Sequence, residues 1–432
     1  MKAGGLTVGR FFGHGNAPNK LQLQTSPGSY DNSALSALDK VLDMASQRGL
    51  KMVVTLSDNW NDADGKIAYA RWAGKTPHDF FVDSGIKQWF KDHITFITNR
   101  VNSVNGKVYK DDDAIFAWNL MNEPRCDCDI NAMDHHCEPG CADAIQSWIE
   151  EMSDYLKASD PNHLITVGEE GFYSFGSGRE HVNPDTFWGT RTGQDFVRNH
   201  RPAAIDYCGI HVWPDNWEVP DVGFQQRWVY EHLSDSASLG KPMVVEEFGK
   251  SAEDTDESRR GVRDPHFRSL YDIFASQRQT GGPMKGLAFW EFGSGERSDM
   301  SIFSHESTWQ EIIVPESQKL NAELEAKAPV DGCVPGTSRS YDALYVGSVT
   351  YIAGGDNLVA SDEGIDLVGK MLGSSTECAD ACAGIPDCNA FTHNPNEGAC
   401  FLKSGASFGF RWDGAGWKTY WRQVEAVNSG SP

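Results

Sequence analysis

Seven apolar runs recur between Leu6 and Trp290, and segments with helical period separate most of them. The runs are Leu6–Phe12, Lys51–Ser57, Ala114–Met121, Leu164–Gly168, Ile205–Val212, Pro242–Glu246 and Gly286–Trp290. In SALSALDKVLDMASQRG, Leu35, Leu38, Leu42 and Ala45 share one face, and Gly49 stands where a left-handed residue ends a helix. Ile86, Trp89, Phe90, Ile94, Ile97 and Val101 repeat that spacing, as do Ile145, Trp148, Ile149, Met152 and Leu156. Strand, helix, strand, helix predicts an α/β fold whose parallel sheet is joined by right-handed crossovers. Strands buried on both faces are apolar throughout. AIFAWNLMNEPRC obeys that rule and then runs straight into Asn122 and Glu123, where packing alone gives no reason for a carboxylate.

A closed (β/α)₈ barrel needs eight strands, and seven are legible. The chain opens on KAGGLTVGR, which reads as the tail of a helix, a Gly-Gly turn and a strand. The expectation is therefore a TIM (β/α)₈ barrel lacking its first strand in this chain, with that strand and any secretion signal upstream of Met1. An open sheet that starts at Met1 is the alternative. The barrel occupies residues 1–327, a Pro- and Gly-rich linker residues 328–340, and a smaller domain residues 341–423.

A formal charge of −23 disfavours nucleic acid and anionic membranes as partners and is compatible with a neutral substrate. No apolar run is long enough to span a bilayer, and MKAGGLTVGRFF has no h-region of signal-peptide length. Ten cysteines, several closely spaced, fit an oxidising compartment, so a secreted protein is expected.

Polar residues stand repeatedly at the ends of the strand runs: Arg10, Asn59 and Trp60, Asn122 and Glu123, Glu169 and Glu170, His211, Glu246 and Glu247, and Trp290. A barrel gathers such positions at one mouth. Two glutamates across a mouth lined by Trp and Asn suit hydrolysis of a glycosidic bond, with one protonated carboxyl assisting the leaving oxygen and one carboxylate attacking the anomeric carbon. Strand alternation lets only one of Glu246 and Glu247 face that mouth.

FAWNLMNEPRC, GEEGFYS, IHVWPDNW, VVEEFGKS and LAFWEFG, in that order, resemble the plant and fungal endo-β-1,4-mannanases of glycoside hydrolase family 5, from about Gly5 to Ala326. The resemblance implies retaining endo-hydrolysis of β-1,4-mannosidic bonds, with Glu123 as general acid/base and Glu247 as nucleophile. It implies that Asn122 holds the sugar hydroxyl beside the reacting carbon, that Arg10 bonds Glu247, and that His211 and Trp290 complete the floor beneath the sugar. Trp60, Trp72, Trp217 and Glu170 are candidates for neighbouring subsites, and no metal or organic cofactor is required. Many relatives carry His-x-Tyr-Pro where this chain has His211-Val212-Trp213-Pro214. Trp213 has only an indole N–H to offer the nucleophile in place of a hydroxyl, so a shifted pH optimum is expected rather than inactivity. Another β-1,4-glycanase, an exo-mannosidase of the same clan and an inactive carbohydrate-binding protein are the rival readings.

Cys126, Cys128, Cys137 and Cys141, with His135 and His136 among them, fit no usual zinc spacing and are expected to form two disulfides. Cys208, inside a strand run, is expected to be a buried free thiol. SAEDTDESRRG reads as a solvated loop or helix start. Beyond the linker, Cys378-x₃-Cys382-x₅-Cys388-Asn-Ala-Phe-Thr and Cys400-Phe-Leu-Lys resemble the PAN/Apple domain. That likeness implies the pairs Cys378–Cys400 and Cys382–Cys388, leaves Cys333 without an assigned partner, and implies a protein or carbohydrate ligand, for which Trp412, Trp417, Tyr420 and Trp421 are a candidate platform.

Overall fold

The structure, a computed structural model, describes residues 1–14, 22–60, 65–125, 140–293 and 298–327, together with the strands between residues 343 and 423. It divides into two compact units, Met1–Ala328 and Pro329–Pro432.

Among the described residues, the first unit is built on seven parallel strands: β1 (Val8–Phe12), β2 (Lys51–Thr55), β3 (Ile115–Asn119), β4 (Leu164–Thr166), β5 (Cys208–Val212), β6 (Met243–Phe248) and β7 (Met284–Leu287). β1 to β4 pair in sequence order as one sheet and β5 to β7 as another. Backbone bonds from Asp206 to Ile165 (2.8 Å) and from His211 to Glu170 (3.1 Å) link β4 to β5 across the gap. Each of the seven expected runs overlaps one strand, with shifted ends. β6 reaches Phe248 and so carries Glu247 within the ladder, whereas β7 stops at Leu287, ahead of Trp290.

The helices α1 (Asn32–Gln47), α2 (Ser84–Thr98), α3 (Cys141–Ser159), α4 (Val222–Leu239), α5 (Asp264–Thr280) and α6 (Val314–Lys327) cover the sheets. Local chemistry sets their ends. Asp31, Asp83 and Asp221 accept backbone N–H bonds from the first turns of α1, α2 and α4, satisfying donors that have no partner within the helix. α1 stops at Gln47, just before Gly49 at φ 60°. Its buried Leu35, Leu38, Leu42 and Ala45 join Ile86, Phe90, Ile94 and Ile97 of α2 and Trp148, Ile149 and Met152 of α3 in one core. A second core gathers Ile210, Trp228, Val245, Phe267 and Ile273 around β5 and β6.

Asp39 joins α1 to the segment after α2. Its buried carboxylate takes two bonds from Arg100 (2.9 and 2.6 Å), one from the Tyr109 hydroxyl (2.6 Å) and two from Ser103 (3.0 and 2.6 Å). Burial alone would raise its pKa, but these donors hold it below the usual carboxylate range. Such a group contributes stability above its unfolded pKa that is lost as pH falls through the folded value. Asp39→Ala strands the guanidinium and phenol partners, and a loss of about 3 kcal/mol in urea unfolding at pH 7 is expected, shrinking toward pH 3.

The acidic segment SAEDTDESRRG exposes its carboxylates and starts a helical turn at Asp256, as expected, although Arg259 within it is buried. Arg259, and Arg263 two residues past the segment, are buried beside Glu306, far along the chain, which lies 3.6 and 3.5 Å from them. Arg263 also donates to the carbonyls of Lys250 (2.9 Å) and Asp299 (2.5 Å), tying together the loops that follow β6 and β7.

The second unit contains an antiparallel sheet in the order 343–346, 349–356, 418–423, 390–394, 399–404, 365–372. A two-stranded pair joins residues 358–359 to 411–412. The linker 328–340 and Cys333, Cys378, Cys382, Cys388 and Trp417 lie outside the described residues, as do the side chains of Cys400, Trp412, Tyr420 and Trp421. Among the described residues no helix is long and apolar enough to cross a membrane.

Candidate active site

A cleft of about 940 Å³ opens over the C-terminal ends of the strands. Phe12, Asp58, Trp60, Asn122, Glu123, Arg125, Glu170, Trp188, Trp213, Asn216, Trp217, Glu218, Glu247, Trp290, Asp299 and Met300 line it. Ligand sites of roughly 300–1,000 Å³ bury most of a drug-sized molecule, so the cleft has room for more than one sugar ring.

Glu123 sits four residues past β3 with φ 50°, a conformation that costs an ordinary side chain about 1–3 kcal/mol and persists only where the surroundings impose it. Backbone bonds from Asn122 to Ser57 (2.9 Å) and from Glu123 to Gly168 (2.7 Å) impose it. Gly168 is itself required: at φ 93° a Cβ there would lie 2.0 Å from Asn119 Oδ1. The Glu123 carboxylate receives the Trp60 indole N–H and lies 2.6 Å from His211 Nδ1.

Glu247 lies opposite, ion-paired with Arg10 Nη1 and 3.5 Å from His211 Nδ1. Arg10 Nη2 donates to Asn122 Oδ1 (2.8 Å), and Asn122 Nδ2 donates to Asp58 (3.1 Å), so one guanidinium fixes both the carboxylate and the amide. The carboxylate oxygens of Glu123 and Glu247 and a ring nitrogen of His211 all fall within 4.8 Å of one another. Glu246 points elsewhere, as alternation requires: it accepts from Tyr207 (2.9 Å) and Asn119 (3.2 Å) and does not line the cleft.

Burial pushes both carboxyls above the usual range, opposed at Glu123 by Arg125 and the Trp60 indole and at Glu247 by the Arg10 guanidinium. Burial drives His211 down to about 4, so its imidazole is neutral at pH 7. Glu247 holds the direct guanidinium contact, which makes it the group that stays ionised. Glu123, without one, is the better proton holder.

Nothing in the sequence pattern singles out Arg125, although it closes the Asn-Glu-Pro-Arg string. It ion-pairs with buried Glu170 (Nε to Oε2 3.0 Å) and lies 4.7 Å over the Trp60 ring. Gln194 Nε2 secures Glu170 (2.6 Å) and the Pro124 carbonyl (3.2 Å), while buried Lys66 bonds Asn59 Oδ1 (2.6 Å) and the Arg125 carbonyl (2.9 Å). This scaffold holds the segment that carries Glu123.

Trp213 does not take up the expected bond: among the described residues it donates nothing to Glu247. Its indole packs over Gly249, where a Cβ would come within 2.5 Å of the ring, and edge-on to Trp290 (6.5 Å). Trp217 lines the cleft and also packs on Phe172 and Trp228. Trp72 is absent from the cleft wall; it packs against Tyr69 (5.0 Å). Cys208 is a buried free thiol whose pKa burial raises to about 12. Cys141 is disulfide-bonded, which excludes it from a zinc set, while Cys126, Cys128, Cys137, His135 and His136 lie outside the described residues.

Residues 12–310 match the family model of glycoside hydrolase family 5, β-mannosidase-like. The chain belongs to that family. Family 5 relatives include mannan endo-1,4-β-mannosidase 1 of Arabidopsis thaliana, 33% identical over 73% of this chain and 77% of its own length. Mannan endo-1,4-β-mannosidase 3 of Oryza sativa subsp. japonica is 37% identical over 62% of this chain and 58% of its own. The crystal structure of an endo-1,4-β-mannanase from Rhizomucor miehei superposes with TM-score 0.64 at 25% identity, covering 74% of this chain and 88% of that one. The hyperthermostable endo-1,4-β-D-mannanase from Thermotoga petrophila gives 0.61 at 26%, covering 74% and 92%. Residues 360–412 match the PAN domain, so the family 5 unit is followed by a PAN module.

Proposed function

We propose that the protein is a retaining endo-β-1,4-mannanase acting on mannan, glucomannan or galactomannan, with Glu247 as nucleophile and Glu123 as general acid/base. The observation that carries the mechanism is the carboxylate separation. Oxygens within 4.8 Å leave no room for a water between carboxylate and sugar, which fits the ~5–5.5 Å spacing of retaining enzymes and not the ~6.5–9.5 Å of inverting ones. The mannan-type substrate rests on the family 5 relatives.

Glu247 attacks the anomeric carbon as the glycosidic C–O bond breaks, and Glu123 gives its proton to the departing oxygen. The resulting ester removes the negative charge of Glu247, the pKa of Glu123 falls, and Glu123 takes a proton from the water that attacks the same carbon and frees Glu247. Asn122 Nδ2 has a second hydrogen left for the neighbouring sugar hydroxyl, and Trp290 presents an aromatic face to the ring. The seven parallel strands are those of a (β/α)₈ barrel, with the seam between β7 and β1 the place for the eighth. The Cys141 disulfide favours an extracellular setting. The PAN module tethers the enzyme to a carbohydrate or protein surface and so raises its local concentration on a polymer.

Reducing-sugar release from β-mannan, cellulose and xylan tests the reading. Release from mannan well above the other two is expected, and failure on all three by folded protein would reject it. Arg125 favours the ionised form of Glu123. Arg125→Gln is therefore expected to raise the pKa of Glu123 and move the basic limb of the kcat/KM profile up by about 0.5–1 pH unit, with a loss of about tenfold in kcat/KM.

A further inference from the structure

Two residues other than glycine adopt positive φ among the described residues, and both line the same cleft: Glu123 and Glu218, the latter at φ 57°. The first belongs to the catalytic pair. The second stands on the rim, exposed, and its carboxylate has no protein partner among the described residues.

The turn that carries Glu218 is rigid. Backbone bonds run from Trp217 to Trp213 (3.1 Å), Glu218 to Asp215 (3.1 Å) and Val219 to Pro214 (2.9 Å). Asp215 is pinned by Lys250 and by the Ser251 N–H (2.8 Å), and Trp217 is wedged against Trp228 (5.0 Å). The left-handed conformation is thus fixed by the loop whatever residue occupies it, and glycine would occupy it without strain. A glutamate there costs stability and forms no compensating contact within the protein. Strain without an internal reward, at the edge of a substrate cleft, is the pattern expected of a group kept for its ligand.

We propose that Glu218 is a specificity-determining residue whose carboxylate accepts hydrogen bonds from hydroxyls of a mannose unit bound beside the cleavage point, outside the site made by Asn122 and Trp290. This rests on the mannanase reading. Neutral sugar hydroxyls are donors, an ionised carboxylate is a strong acceptor, and the rigid turn removes the ordering cost of presenting it.

The test compares wild type, Glu218→Gly and Glu218→Gln by Michaelis kinetics on mannopentaose and by thermal unfolding. Glu218→Gly removes the carboxylate and relaxes the backbone: KM is expected to rise about fivefold with kcat within about twofold, while Tm rises by about 2 °C. Glu218→Gln keeps the strain and weakens the acceptor: KM rises about two- to threefold at unchanged Tm. An unchanged KM in Glu218→Gly overturns the assignment. So does a KM that rises in Glu218→Gly and stays at the wild-type value in Glu218→Gln, since the loop rather than the carboxylate would then be responsible. Wild-type protein that hydrolyses neither mannan nor mannopentaose rejects the mannanase reading and this assignment together, whereas active wild type with an indifferent Glu218 rejects the assignment alone.

Discussion

Glu247→Gln is expected to lower kcat on β-mannan by on the order of 10⁵-fold, the scale seen when a covalent nucleophile is removed. The amide matches the carboxylate in shape and can still accept from Arg10, which also keeps its bond to Asn122 Oδ1 (2.8 Å), so the floor of the cleft survives the change. What disappears is the electron pair that forms the ester. Mannopentaose affinity by calorimetry should therefore stay within about threefold of wild type while turnover vanishes. A variant that retained a tenth of the activity would place the nucleophile elsewhere, and Glu246, the adjacent carboxylate, would be the first alternative to test.

The second large effect belongs to Glu123→Ala, for which a loss of about 10³-fold on mannan is expected, the contribution of a positioned general acid/base. The leaving sugar is a poor leaving group and needs the proton. An aryl β-mannoside with an acidic phenol does not, so its first step should proceed and the covalent ester should accumulate as a burst, because no base remains to activate water. Azide needs no base and fits the space left by the side chain. Added azide should raise turnover of the aryl substrate and yield the β-mannosyl azide. Glu247→Gln should show neither burst nor rescue, and that contrast assigns the two roles independently.

The parallel strands are legible in the sequence because strands buried on both faces stay apolar, and all seven runs overlap one. Their ends are less so. Lys285 breaks the apolar pattern of β7, so the run reads as starting late, and β6 continues through two glutamates that look like an exit from the sheet. At the site, the strand-end groups Arg10, Asn122, Glu123, His211 and Glu247 stand out because packing gives a polar residue little reason to follow a buried strand. Loop residues carry no such signal. Asp58, Trp188, Asp299 and Met300 reach the cleft through long excursions without periodicity, and Arg125 gains its meaning from Glu170 on the following strand loop. Trp72 misleads for the opposite reason: an indole in a short helix beside Tyr69 reads the same whether it faces core or sugar. The burial of Arg259 within the acidic segment is not legible because its buried partner, Glu306, is remote in sequence.

The most direct measurement is proton NMR of the first products from mannopentaose, recorded before mutarotation. Cleavage at an internal bond is expected, with the new reducing end appearing first as the β-anomer and drifting to the α/β equilibrium. An α-anomer formed first would mean inversion, which two carboxylates within 4.8 Å cannot accommodate. Release of single mannose units alone, from the chain end, would contradict the endo-acting cleft.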